Sequence, residues 1–121
     1  MDLGELLGTL AVIKASRTIT FTPPKAVATA AARGLTLRKR FKRGGTPVGV
    51  ARAVQLKNRR AVSLNTIGRM YSYFSRHSVD RLPGWDNPNR PSNGYIAWLL
   101  WGGDPGKVWA TAIWRRFAGR S

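Results

Sequence analysis

The chain contains no cysteine, one histidine and only five acidic residues in 121. Without cysteine there is no disulfide staple and no thiolate metal site, so the core alone must hold the fold. General acid/base catalysis and metal binding need carboxylates, imidazoles or thiolates brought together. Outside the first five residues only Asp80, Asp86, Asp104 and His77 are present to supply them. No stretch approaches the roughly 20 apolar residues needed to cross a bilayer. The apolar run Leu6 to Ile13 follows Asp2 and Glu5 rather than the basic start of a secretory signal, so the sequence reads as soluble and unexported.

Against these absences stands an excess of positive charge. Lys and Arg number 21, for a formal net charge of +16. Between Glu5 and Asp80 there are fifteen basic residues and no acid at all. Self-repulsion at that level costs stability unless anions neutralise it, and a merely solvated surface normally mixes both signs. The expected partner is therefore a polyanion. An apolar fraction of 43% argues against a disordered basic tail, and five Trp require somewhere to be buried. The length suits one compact domain.

Cap and proline signals divide the chain into helices. Thr22-Pro23-Pro24 predicts a start, with Thr22 capping and a helix running to about Arg43 that turns Val27, Ala31, Leu35 and Leu37 or Phe41 inward. Gly34 inside it marks close packing or a break, and Gly44-Gly45 ends it. Thr46-Pro47 opens a second helix to about Lys57, with Val50, Ala53, Val54 and Leu56 inward. Ser63 caps a third to about His77, where Leu64, Ile67, Met70 or Tyr71, and Phe74 recur at helical steps and Arg69, Tyr73, Arg76 and His77 lie on the other side. The Pro-rich stretch Leu82 to Asn93 predicts a loop pinned by Trp85. A short helix over Gly94–Trp101 ends at Gly102-Gly103. Asp104-Pro105 then starts the last, with Asp104 as cap and Val108, Trp109, Ala112, Ile113 and Phe117 on one face. In Ile13–Phe21 apolar and polar residues alternate, as in an extended strand or arm that needs a partner and could find it on another subunit. The expected fold is all-α: a compact bundle of about five short helices over residues 22–121, with an extended N-terminal arm over 1–21.

No constellation for catalysis emerges. Ser75 and His77 do not face each other on a helix. The glycine pairs lack the spacing and the following Lys-Ser/Thr of a P-loop, so helix termination accounts for them better. The basic run Leu37-Arg38-Lys39-Arg40-Phe41-Lys42-Arg43 has a bland reading as a solvated helix face and a sharper one as a phosphate-binding surface, which the missing acids favour. Phe74, Trp98, Trp101, Trp109 and Trp114 suit packing, with Tyr73 open as a surface contact able to stack on bases. The second and third helices have the rough length of a helix-turn-helix, but the segment Asn58–Val62 lacks the usual turn glycine, which disfavours sequence-specific reading.

A set of motifs adds a context. Arg43-Gly44-Gly45-Thr46, Gly49-Val50-Ala51-Arg52-Ala53, Arg69-Met70-Tyr71-Ser72-Tyr73-Phe74-Ser75-Arg76-His77 and Ile96-Ala97-Trp98-Leu99-Leu100-Trp101-Gly102-Gly103-Asp104 together resemble a small module of tailed bacteriophages, found alone or joined to head-morphogenesis proteins, including prohead-protease-like chains. The resemblance covers about residues 21–110, and its Trp-Gly-Gly-Asp block is the most specific part. It implies a virion or assembly context, in the particle or the host cytoplasm, and carries no protease residue. The chain departs from the pattern at Ser78, where an acid often follows the histidine, and in its extra Met1–Thr20 segment.

The combined expectation is a non-enzymatic protein without metal or cofactor that grips nucleic acid, foremost double-stranded DNA, through phosphates and without sequence preference. The contacts expected are Lys39, Arg40, Lys42, Arg43, Arg52, Lys57, Arg59, Arg60, Arg69 and Arg76. The competing expectation is a capsid or connector component whose cationic face meets acidic phage subunits, with the N-terminal segment as an interchain arm. Neither involves a membrane, and both leave a homo-oligomer open.

Overall fold

The structure is a computed structural model, and it describes residues 19–118. Residues 1–18, most of the expected arm, lie outside it, as does Arg120 in the tail 119–121. Five α-helices make up about two thirds of the described chain: α1 (Lys25–Phe41), α2 (Pro47–Lys57), α3 (Leu64–His77), α4 (Asn93–Leu100) and α5 (Gly103–Phe117). A 3-10 turn, Ser78–Asp80, follows α3. The fold is thus all-α apart from one antiparallel pair of two-residue strands, β1 (Thr20–Phe21) and β2 (Val62–Ser63), in register Thr20↔Ser63 and Phe21↔Val62. The described end of the arm therefore finds its strand partner within the same chain. Phe21 also meets Phe117 of α5 edge-on at 5.3 Å between ring centroids.

Most helix boundaries follow the local signals. Thr46 caps α2 by accepting from the Gly49 amide at 3.2 Å, with Pro47 in the first turn, and Ser63 caps α3 by accepting from Thr66 at 3.1 Å. Other starts correct the sequence reading. Pro24 occupies the N-cap of α1 and no side chain caps it, so Thr22 has no capping role. Ser92 caps α4 through the Tyr95 amide at 3.0 Å. The last helix begins after Gly102, in a left-handed conformation, and Asp104 does not cap it. Helix α1 ends at Phe41, two residues early, because Lys42 turns left-handed with φ 52° and Gly44 and Gly45 follow at φ 90° and 80°. A side chain at either glycine would collide with Ile96 or Leu100 of α4, so this turn is closed by glycine for space as well as for backbone angle.

The core forms where α1 lies against α2, α4 and α5, and α3 lies against α5. Helix α2 packs on α1 and α4 rather than mainly on α3, which is not the packed helix pair of a helix-turn-helix. Gly34 is the close-approach point between α1 and α4: a Cβ there would stand 2.7 Å from the Leu100 backbone nitrogen. Val27, Ala31, Ala53, Leu56, Ile67, Met70 and Phe74 fill the interior as their spacing implies. Four inward assignments fail, since Val54, Ala112, Phe117 and Val108 (71% exposed) are exposed. On α5 the buried positions are Gly103, Gly106 and Ala110, with Trp109, Ile113 and Trp114 half-buried around them. Small residues let α5 settle closely onto its neighbours, which rotates the helix so that Val108 points to solvent.

Trp98, 1% exposed, is the centre of the aromatic cluster. Its ring meets Phe74 at 4.7 Å and Trp85 of the 81–92 loop at 5.7 Å, both near right angles. Trp85 does pin that loop, also meeting Tyr95 at 5.1 Å. The Trp98 indole N–H donates to Asp104 Oδ1 at 2.9 Å, and Arg81 donates to the same oxygen at 2.6 Å. Partial burial works to raise the Asp104 pKa, but the hydrogen bonds from Arg81 and Trp98 and the nearby positive charges outweigh it and hold the carboxyl below its ordinary range.

Two stability measurements check this arrangement. Trp98→Ala is expected to cost roughly 3–5 kcal/mol in urea unfolding, and Trp109→Ala clearly less because its ring is half-buried. At neutral pH Asp104→Ala is expected to cost about 1–3 kcal/mol by leaving the indole N–H unpaired, and Asp104→Asn, which keeps the acceptor, less than about 1 kcal/mol. A depressed carboxyl stabilises the fold above its unfolded pKa and loses that effect as pH falls through its folded value. The deficit of the Asn variant should accordingly shrink once pH drops below about 4; a deficit equal at pH 7 and pH 3 would show that the charge contributes nothing.

Candidate nucleic-acid interface

The basic residues singled out in the sequence fall into three places. Lys39 and Arg40 in the last turn of α1, with Lys42 and Arg43 just beyond, are all exposed. Cations accumulate here without helical cost because the negative end of the α1 dipole lies at this end. Lys39, Lys42 and Arg43 join Arg38, Gly44 and Gly45 around a depression of about 470 Å3. Arg38 braces the turn by donating Nε to the Gly44 carbonyl at 3.1 Å, while Arg40 lies 5.1 Å from the Phe41 ring centroid.

The second group sits at the C-terminal end of α2. Lys57 and Arg60 are exposed, but Arg59 is partly committed to the fold: at φ 51° it sends its Nε to the Pro23 carbonyl at 2.8 Å, tying the turn after α2 to the segment before α1. Arg52, one helical face away, is half-buried; it donates to Gln55 and lies 5.5 Å from the Trp101 ring centroid. Its Nε is buried with no partner among the described residues. Burial, and secondarily the charge of Arg69, pull this guanidinium below its usual pKa. Two cations held toward each other with no acid between them describe a place where an external anion gains.

Arg69 and Arg76 form the third group, seven residues apart on α3 and so about 10 Å apart along its axis. Both line a cleft of about 920 Å3. Asn65 and Ser72 line it too, completing a polar stripe at positions 65, 69, 72 and 76. The facing wall is built from Thr46 and Val48 at the start of α2 and from Asn93 and Gly94 at the start of α4. Gly44 and Gly45 border this cleft and the α1 depression alike, so the first and third groups adjoin. No family model, curated protein or solved structure matches this chain. What the site can do must be read from its own groups.

The inner wall of the cleft is aromatic. Tyr73 stacks with His77 at 4.5 Å and with Trp101 at 4.7 Å between centroids, and Trp114 lines the same space. Tyr73 is 5% exposed, which corrects its reading as a surface contact: Ile67, Met70 and Phe74 draw this side of α3 inward and carry Tyr73 with them. The phenol is buried without a hydrogen-bond partner among the described residues, and burial, followed by the negative charge of Asp80, raises its pKa well above the ordinary value. His77 Nδ1 lies 2.9 Å from Asp80 Oδ2. Ser75, adjacent in sequence, donates to the Tyr71 carbonyl at 2.9 Å instead of facing His77. Among the described residues no three His, Asp or Glu gather where a metal could sit. Positive charge and hydrogen-bond donors are what Arg69, Arg76, Asn65 and Ser72 bring to this surface.

Sequence reasoning placed Arg38 in the basic run without singling it out, and missed Asn65, Ser72 and Asn93. The stripe of Asn65, Arg69, Ser72 and Arg76 carried a signal in its helical spacing, whereas Asn93 and Gly94 come from a segment that reads only as the end of a loop. One test concerns the orphan phenol. Removing an unpartnered buried hydroxyl relieves a desolvation cost, so Tyr73→Phe should leave thermal stability unchanged or raise it by up to about 1 kcal/mol. A loss beyond that would reveal a partner for the hydroxyl.

Proposed function

We propose that this protein binds nucleic acid, double-stranded DNA foremost, by contacting phosphates without reading sequence, and that it does so in a phage particle or during its assembly. One observation carries the reading: of the Lys and Arg among the described residues, Arg81 alone lies within ion-pair distance of a carboxylate. The other carboxylate in an ion pair, Asp80, is taken by His77. Among the described residues the remaining cations meet no carboxylate within ion-pair distance, and a polymer of phosphates neutralises many of them at once while releasing its condensed counterions. Lys39, Lys42 and Arg43 on one side of Gly44-Gly45, and Arg69 and Arg76 on the other, offer a continuous basic tract for such a backbone. The particle context follows from the resemblance of residues 21–110 to the tailed-phage module.

Affinity for duplex DNA should fall steeply with salt and vary little with sequence. Replacing Lys39, Arg40, Lys42 and Arg43 together by Gln keeps helix propensity and removes four charges. If all four touch phosphate, the slope of log affinity against log salt drops by about 3–4 units. An unchanged slope, or binding insensitive to salt, would shift the balance to a capsid or connector component that meets acidic subunits.

A further inference from the structure

We propose that the cleft between α3 and the first turns of α2 and α4 binds the phosphate monoester of a nucleotide, carried either by a free mononucleotide or by the end of a strand. This rests on the reading that the protein engages nucleic-acid phosphates, and it assigns the cleft a task apart from that of the outer face.

Three features converge there. Arg69 and Arg76 line one wall with Ser72 between them, giving two forked guanidinium donors and a hydroxyl on one face of α3. The opposite wall is made by the starts of two helices. In α2 the Thr46 side chain is spent on Gly49 and Pro47 has no N–H, which leaves the Val48 amide free; in α4 Ser92 is spent on Tyr95, which leaves those of Asn93 and Gly94. The starts of two helices, with unpaired amides and the positive ends of their dipoles, therefore line the space that the arginines flank, the start of α4 lying beside the Asp80 side chain. The third feature is independent of charge. Tyr73 lines the same cleft and is nineteen-twentieths buried, with its hydroxyl unpartnered among the described residues, an orphan that ordinary folds avoid.

Among the described residues one carboxylate lines this space, that of Asp80, whose Oδ2 lies 2.9 Å from His77 Nδ1. Shape narrows the ligand further. About 920 Å3 exceeds what a bare phosphate fills and lies within the range of small-ligand sites. A duplex, whose major groove alone is about 12 Å wide, cannot enter between helix flanks, but a single nucleotide can. Trp101, Trp114 and His77 supply aromatic surface beside the donors, suited to a base that is not paired.

The test uses the full-length protein at about 0.15 M salt, with tryptophan fluorescence and calorimetry as readouts. The probes are 5′-AMP beside adenosine, and a short oligothymidylate bearing a 5′-phosphate beside the same strand ending in a 5′-hydroxyl. The phosphorylated member of at least one pair should bind about tenfold more tightly than its partner, the size expected for charge-assisted hydrogen bonds. Preference within the AMP pair alone identifies a free nucleotide, and preference within the strand pair a terminus. Arg69→Gln and Arg76→Gln, both at exposed positions, should each erase most of the preference while melting as the wild type does. The quadruple Gln variant of the outer face should weaken both strands alike and retain their ratio. No preference in either pair overturns the proposal, even if the salt slope on duplex DNA is steep, in which case the general reading stands without it. A polyglutamate peptide that binds in place of both phosphorylated probes, and is lost in Arg69→Gln, overturns it in favour of an acidic protein partner.

Discussion

The indole N–H of Trp98 has a single acceptor, the carboxylate of Asp104 at 2.9 Å, and the placement of four separate segments follows from that pairing. A ring this large can be buried only if its one polar atom is satisfied. Asp104 satisfies it from α5 and at the same time receives Arg81 from the loop, so α4, α5 and the loop are fixed to one another at a single oxygen. The faces of the same ring carry the packing outward, to Phe74 of α3 and Trp85 of the loop, with Arg81 and Lys107 positioned over it at 5.5 and 5.9 Å from its centroid. Because Trp98 sets how α4 meets α3, it also sets the walls of the cleft that Arg69 and Arg76 line.

The electrostatics obey the same economy. With three acids among the described residues, two stand at junctions between elements: Asp104 at the Trp98 pairing and Asp80 in the turn that closes α3. Neither is free to neutralise the basic tract around Gly44-Gly45. The fold tolerates this because almost every cation is exposed, where water screens it, and the exception, Arg52, rests against Trp101. The close spacing of Arg52 and Arg69 carries an electrostatic cost in the free protein that an anion relieves. Under the proposed function, phosphate binding and stability are in this way linked through the same charges.

Local signals in the chain reached a good part of this. The Thr46-Pro47 and Ser63 starts, the interior run of Ile67, Met70 and Phe74, the loop after His77 and the all-helical class depend on residues within one or two turns of each other, where capping and periodicity act without regard to the rest of the fold. The charge imbalance is a property of composition alone and needs no coordinates. The positions misjudged have a common cause. Asp104 has the local features of a cap yet serves a tryptophan six residues earlier, Val108 and Val54 lie on helical stripes that turn outward, and Tyr73 is drawn into a ring stack. In each case a neighbour distant in sequence, or the small residues that set how deeply a helix sinks, outweighed the local preference.

What the sequence determined by itself, then, is the helical class, most helix starts and the excess of positive charge, since these arise from short-range hydrogen bonding, hydrophobic period and composition. Tertiary structure decided which cations act together. Arg69 and Arg76 meet the starts of α2 and α4 only because Gly34 lets α1 and α4 touch and Gly44-Gly45 folds α2 back beside Ile96 and Leu100. A convergence of groups from positions 44 to 94 depends on helix-to-helix distances, and those are set by packing volumes that no local pattern in the chain encodes.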